Sequence, residues 1–122
     1  MLHYGWRGLA GGIVEEGARA VRELGGSGPL VAAIGPGGRV CCYEVGEEVH
    51  AAFAGFGDSV RRGAHLDLAA VARSELEKAG VDEVADTGLC TICGDPGLFF
   101  SHRRDSGVTG RQAGVVWRDA DG

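Results

Sequence analysis

Six consecutive residues, His3-Tyr4-Gly5-Trp6-Arg7-Gly8, concentrate groups that could do chemistry. The His3 imidazole can ligate a metal or carry a proton near neutral pH. The Arg7 guanidinium presents five donors suited to phosphate or carboxylate. Gly5 and Gly8 allow close backbone approach. A helix predicted from about Leu9 would point its first N–H groups back at this turn and favour an anion there. The plainer alternative stays open: a lone His is more often structural, Trp6 could be core and Arg7 a solvated neighbour of the helix start.

A second dense stretch, Phe99-Phe100-Ser101-His102-Arg103-Arg104-Asp105, is followed by Gly110-Arg111-Gln112. Aromatics beside guanidiniums suit stacking on a nucleobase and binding of phosphate. The same arginines could equally pair with surface acids. Gly35-Pro36-Gly37-Gly38 follows an apolar run, where a Gly-rich loop can cradle phosphate. It matches neither the dinucleotide-binding nor the P-loop pattern, so a plain turn is the simpler reading. The four cysteines are Cys41, Cys42, Cys90 and Cys93. Cys90 and Cys93 have zinc-ligand spacing. Adjacent Cys41 and Cys42 would point to opposite faces of an extended chain. Buried free thiols are therefore expected over a four-cysteine zinc site. No helix pattern starts at Cys93, which argues against a thioredoxin-like role.

These residues need elements to hold them. Leu9, Ile13, Gly17, Val21 and Leu24 form one stripe of a helix from about Leu9 to Leu24, stopped by Gly25-Gly26. Leu30–Ile34 reads as a buried strand. Val40–Val45 is strand or irregular. A second helix covers about Glu47 to Phe56, with Val49, Ala52 or Phe53, and Phe56 inward. A third covers about Asp67 to Ala79, with Leu68, Ala72, Leu76 and Ala79 inward and Gly80 as stop. Val81–Ala85 reads as a strand. Gly114–Arg118 reads as a final strand with Val115 and Trp117 on one face. This order predicts an α+β fold of about three helices on a mixed sheet.

Composition narrows the function classes. The 122 residues suit one domain over 1–122. A 44% hydrophobic and 24% charged composition is that of an ordinary globular protein. The 23 glycines are not periodic, which excludes collagen. A net charge of −5 argues against a nucleic-acid partner. No apolar run approaches the roughly 20 residues of a membrane span, so no membrane partner is expected. Nothing has a signal-peptide layout, so the expected location is cytoplasmic.

Taken in order, HYGWRGLAGGIVE, AAIGPGG, CCYEVGEEV, HLDL, GLCTIC, FFSHRRD and TGRQAGVVW resemble one family closely. The chain looks like the C-terminal half of the polyphenol-oxidase-like, laccase-domain family. Its members are also described as purine nucleoside phosphorylases with adenosine deaminase activity. The segments span nearly the whole chain. Some positions depart: the family usually has Ala at Tyr4, Ile-Gly-Pro at Gly38-Arg39-Val40, an aromatic at Ala69, Tyr at Ile92, and often Tyr at His102.

The resemblance implies a layered α/β/β/α fold, of which this chain supplies a truncated half. It also implies a zinc site with His3 as one ligand, its other two, a His and a Cys, belonging to the family's N-terminal half. Copper, which the older oxidase label would need, gains no support from one imidazole. Arg7 with one or more of Arg103, Arg104 and Arg111 would hold phosphate or ribose. The implied substrates are a purine nucleoside and phosphate. A second chain, from a homo-oligomer or a companion, would complete the site. The alternative is a non-catalytic homologue acting as a binding or oligomerisation module.

Overall fold

The computed structural model describes residues 1–25 and 27–119. The elements run α1 (Trp6–Ala10), α2 (Ile13–Glu23), β1 (Val31–Ile34), α3 (Glu47–Ala52), β2 (Arg61–Arg62), β3 (His65–Leu66), α4 (Leu68–Lys78) and β4 (Glu83–Asp86), with single 3₁₀ turns at Ala54–Phe56 and Asp58–Val60. The fold is α+β. Strands β1 and β4 pair in parallel, Val31 opposite Glu83 and Ile34 opposite Asp86. The long crossover between them carries α3, the short antiparallel pair β2–β3 and α4.

The first expected helix is two. Gly12 takes a φ of +87°, a left-handed conformation that glycine adopts without strain, and the chain turns there between α1 and α2. Helix α1 therefore starts at Trp6, three residues before the expected Leu9, and contains Arg7. At five residues it is too short to give the turn an appreciable helix dipole. The expected stripe fades along α2: Leu9 is buried and Ile13 half-buried, whereas Val21 and Leu24 lie open, and Val14, outside the stripe, is buried. Gly25 is left-handed after α2, and Gly26 lies outside the described residues.

The other helices follow their sequence signals. The Asp67 carboxylate accepts the Ala70 N–H at 3.0 Å and caps α4. Gly80, with φ +82°, closes α4, and Val81 N–H bonds back to the Leu76 carbonyl at 3.0 Å in a Schellman arrangement. The second expected helix ends early at Ala52, and a 3₁₀ turn brings Phe56 inward. Phe53, not Ala52, is the buried choice. Phe53, Leu66 and Val71 are the largest fully enclosed side chains. Each stabilises the fold by roughly 1.5–3 kcal/mol relative to exposure. Val71 and Ala69 are enclosed because the first turn of α4 is covered on more than one stripe, with Leu68 and Ala72 buried beside them.

Two expectations fail. Gly114–Arg118 forms no strand among the described residues, and Val115 and Trp117 are 74% and 75% exposed. Val40–Val45 takes its irregular alternative, a turn joined to β3 by a bridge between Glu44 and His65. Strand β1, expected to be buried, is instead open on one side of its pair with β4: Val31 is 67% exposed and Ala33 and Ala85 are exposed. A parallel pair normally has both faces covered. No helix among the described residues is long and apolar enough to cross a membrane.

Candidate functional site

Parallel pairing sends both strands out at the same end, so the loops that follow β1 and β4 meet there. Gly37 bridges Cys90, with Gly37 N–H donating to the Leu89 carbonyl at 3.2 Å and Thr91 N–H to the Gly37 carbonyl at 3.0 Å. Arg39 locks the junction with a bidentate pair to Asp86 at 2.9 and 2.5 Å. Their side chains are only 12% and 24% exposed. The Arg39 guanidinium holds the Asp86 carboxyl below the usual carboxylate range; burial opposes this and the Gly88 N–H reinforces it. Arg73 stands 4.0 Å from the same carboxylate.

The N-terminal turn docks on this junction through Tyr4. The Tyr4 hydroxyl lies over Gly37, within ordinary contact distance of where a Cβ on that residue would stand, 3.6 Å away. Burial raises the phenol above its ordinary value, Arg39 works against that, and Asp86 and Asp67 add to it. Tyr4, where the family usually has Ala, thus ties the turn to the loop after β1. His3 and Arg7 remain exposed. The Arg7 guanidinium sits 4.6 Å over the Trp6 ring and has no acid partner among the described residues. Trp6 is half-buried against the core, so the plainer reading holds for the ring.

The cysteines are the largest departure from expectation. Cys42 and Tyr43 N–H both bond back to the Arg39 carbonyl, at 2.9 and 2.7 Å. The resulting turn replaces the extended geometry that would separate Cys41 from Cys42. All four Sγ atoms lie within 4.8 Å of one another. The thiols are not uniformly buried: Cys90 is buried, Cys42 half-buried, and Cys41 and Cys93 are exposed. Burial raises the Cys90 thiol, but the backbone N–H groups of Cys93, Arg39 and Ile92, with Cys41, outweigh it and lower it to about 6. Cys42 is pushed up to about 12, by its hydrogen bond to Cys93 first and burial second.

The three downstream arginines differ. Arg103 lies 4.5 Å over the Tyr43 ring and donates to the Glu44 carbonyl. Arg104 is held by Asp105 at 3.0 and 2.9 Å and by the Phe99 and Thr91 carbonyls. That is the structural alternative considered above. Arg111 is exposed and unpaired among the described residues. No hydrogen bond or ion pair among the described residues joins His3 or Arg7 to these three. A groove of about 690 Å³ between α2 and α4, lined by Arg19, Arg22, Glu75 and Lys78 among others, contains none of them.

A metal at His3 fails the test of donor chemistry within this chain. Among the described residues, His3 belongs to no group of three or more His, Cys, Asp or Glu side chains with converging ligand atoms. Catalytic zinc normally takes three protein ligands. Sequence reasoning missed Arg39, Asp86 and Tyr43 as organisers of the site. Arg39 and Asp86 are 47 residues apart, and only the parallel pairing of β1 with β4 makes them neighbours.

The arrangement is therefore an α+β protein whose candidate residues ride on loops at one end of a parallel strand pair. A family model described as multi-copper polyphenol oxidoreductase laccase matches residues 1–119, and the chain belongs to that family. A purine nucleoside phosphorylase of Xylella fastidiosa strain Temecula1 is 43% identical over 96% of this chain and 47% of its own length. One of Deinococcus radiodurans is 43% identical over 93% of this chain and 46% of its own length. A crystal structure of a Neisseria meningitidis protein superposes with a TM-score of 0.70 at 33% identity, covering 88% of this chain and 46% of that one. The chain thus spans about half the length of the relatives it matches.

Proposed function

We propose that the chain supplies one half of a purine nucleoside phosphorylase site. Inorganic phosphate attacks the anomeric carbon of a purine nucleoside; the new C–O bond forms as the C–N bond to the base breaks, and the base leaves with a proton. The observation that carries this reading is the match over residues 1–119 to the family and to relatives named purine nucleoside phosphorylases. The geometry adds Arg7, an exposed guanidinium with no acid partner among the described residues, beside His3.

In this reading His3 faces the reacting centre and Arg7 binds phosphate. Arg103 and Arg111 are the better substrate contacts of the downstream set, because Arg104 is already occupied by Asp105 and two carbonyls. A zinc ion bound at His3 would draw its remaining ligands from sequence outside this chain, and no step is routed through it. Adenosine deamination is the second activity that the family resemblance implies for the same residues. The open face of β1–β4, with Val31 and Ala33 exposed, supports completion by another segment, from a second copy or a companion chain.

The test is phosphorolysis of inosine by the protein in its native assembly. Phosphate-dependent release of hypoxanthine, lost in His3→Ala with unchanged melting temperature, supports the proposal. Release that ignores phosphate or survives His3→Ala refutes it.

A further inference from the structure

We infer that Cys41, Cys42, Cys90 and Cys93 form a tetrathiolate site for a single soft divalent ion of the zinc class, separate from His3, which staples the loop after β1 to the loop after β4. The four Sγ atoms converge within 4.8 Å. Cys41 and Cys93 Sγ stand 3.6 Å apart. Two sulfurs bonded to one tetrahedral zinc at about 2.3 Å are roughly 3.8 Å apart, which matches. A disulfide would need about 2.0 Å. A multi-iron cluster would place its own iron and sulfide between the thiolates and spread them further.

Both pairs are preformed by backbone contacts. The turn closed by Cys42 and Tyr43 N–H on the Arg39 carbonyl aims Cys41 and Cys42 into one space. Gly94 N–H bonds to the Cys90 carbonyl at 2.9 Å and closes the turn that brings Cys93 over Cys90. A side chain at Gly94 would overlap that carbonyl. The β1 and β4 loops are already bridged at Gly37 and Cys90, so little ordering remains when an ion binds. Tyr43 and Glu44, which hold Arg103, follow the cysteine pair directly. Stapling this turn fixes the platform on which Arg103 rests.

The test uses the full chain purified under reducing conditions without chelator. Elemental analysis should find one zinc per chain attributable to this site. Cobalt substitution should give the intense visible bands and sulfur-to-metal charge transfer of a tetrahedral thiolate. Cys93→Ser, at an exposed position that leaves the core intact, should weaken zinc binding by more than the roughly 10- to 100-fold expected for loss of an outer-shell partner. His3→Ala should leave stoichiometry and cobalt spectrum unchanged, which separates this site from the proposed catalytic one. Absence of metal with weak octahedral cobalt bands overturns the inference. So does recovery of these cysteines as disulfides in air-equilibrated protein, or a Cys93→Ser variant that binds zinc as tightly as the parent.

Discussion

The Arg39–Asp86 pair is a sharp test of how the two loops are held. It is bidentate, at 2.9 and 2.5 Å, with side chains 12% and 24% exposed. Surface pairs contribute about 0.2–1 kcal/mol, whereas breaking a fully buried pair costs about 3–5 kcal/mol. This pair lies between those limits, so a double-mutant cycle of Arg39→Ala and Asp86→Ala should return a coupling of about 2 kcal/mol at pH 7. Each single change should lower the melting temperature by roughly 8 °C for a chain of this size. The Asp86 carboxyl is held below its ordinary value by Arg39. Its contribution is therefore complete above the ordinary Asp pKa of about 3.9 and disappears as pH falls through the lower folded value. Urea midpoints from pH 7 downward should show the coupling shrinking only in that acid window. A coupling below about 0.5 kcal/mol at pH 7, or one that persists after Asp86 is protonated, would refute the reasoning.

Other changes probe the elements around the site. Gly94→Ala should destabilise the chain by about 2 kcal/mol or more by urea unfolding, because the new Cβ meets the fixed Cys90 carbonyl. Asp67→Ala should cost about 1 kcal/mol through loss of the α4 cap, with Asp67→Asn retaining most of it. Phe53→Ala should cost about 3–5 kcal/mol, since the ring is 2% exposed and its loss leaves a cavity. Trp117→Ala should change the melting temperature little in the chain as described, its ring being 75% exposed.

What could be read from the sequence follows from where the physics is local. Helix α4 was legible because its start near Asp67, its apolar stripe and its stop Gly80 all lie within one stretch. Strand β1 was legible as a short apolar run, and β4 as a strand beginning two residues earlier than it does, though the expected burial of β1 did not follow. The break at Gly12 was not, because Leu9 and Ile13 keep helical spacing in sequence whether or not the glycine between them turns left-handed. The Gly114–Arg118 strand failed because alternating Val115 and Trp117 signal a buried face only when something covers it. The His3–Gly8 turn was recognisable by family resemblance. The cysteine cluster was not, because Cys41 and Cys42 were read as extended, whereas the Arg39 carbonyl bends them together. The approach of the two cysteine pairs rests on contacts about 50 residues apart, Arg39 with the Leu89 carbonyl and Gly37 with Cys90, beyond the reach of a spacing argument.

The central claim is that this chain carries half of a phosphorolytic site, with His3 at its reacting face. The most direct measurement is hypoxanthine release from inosine by the native assembly, with and without phosphate, for the parent and His3→Ala. The account expects phosphate-dependent release with ribose 1-phosphate as co-product, abolished by His3→Ala while the melting temperature holds. No phosphate-dependent release, or equal release from the variant, would contradict it.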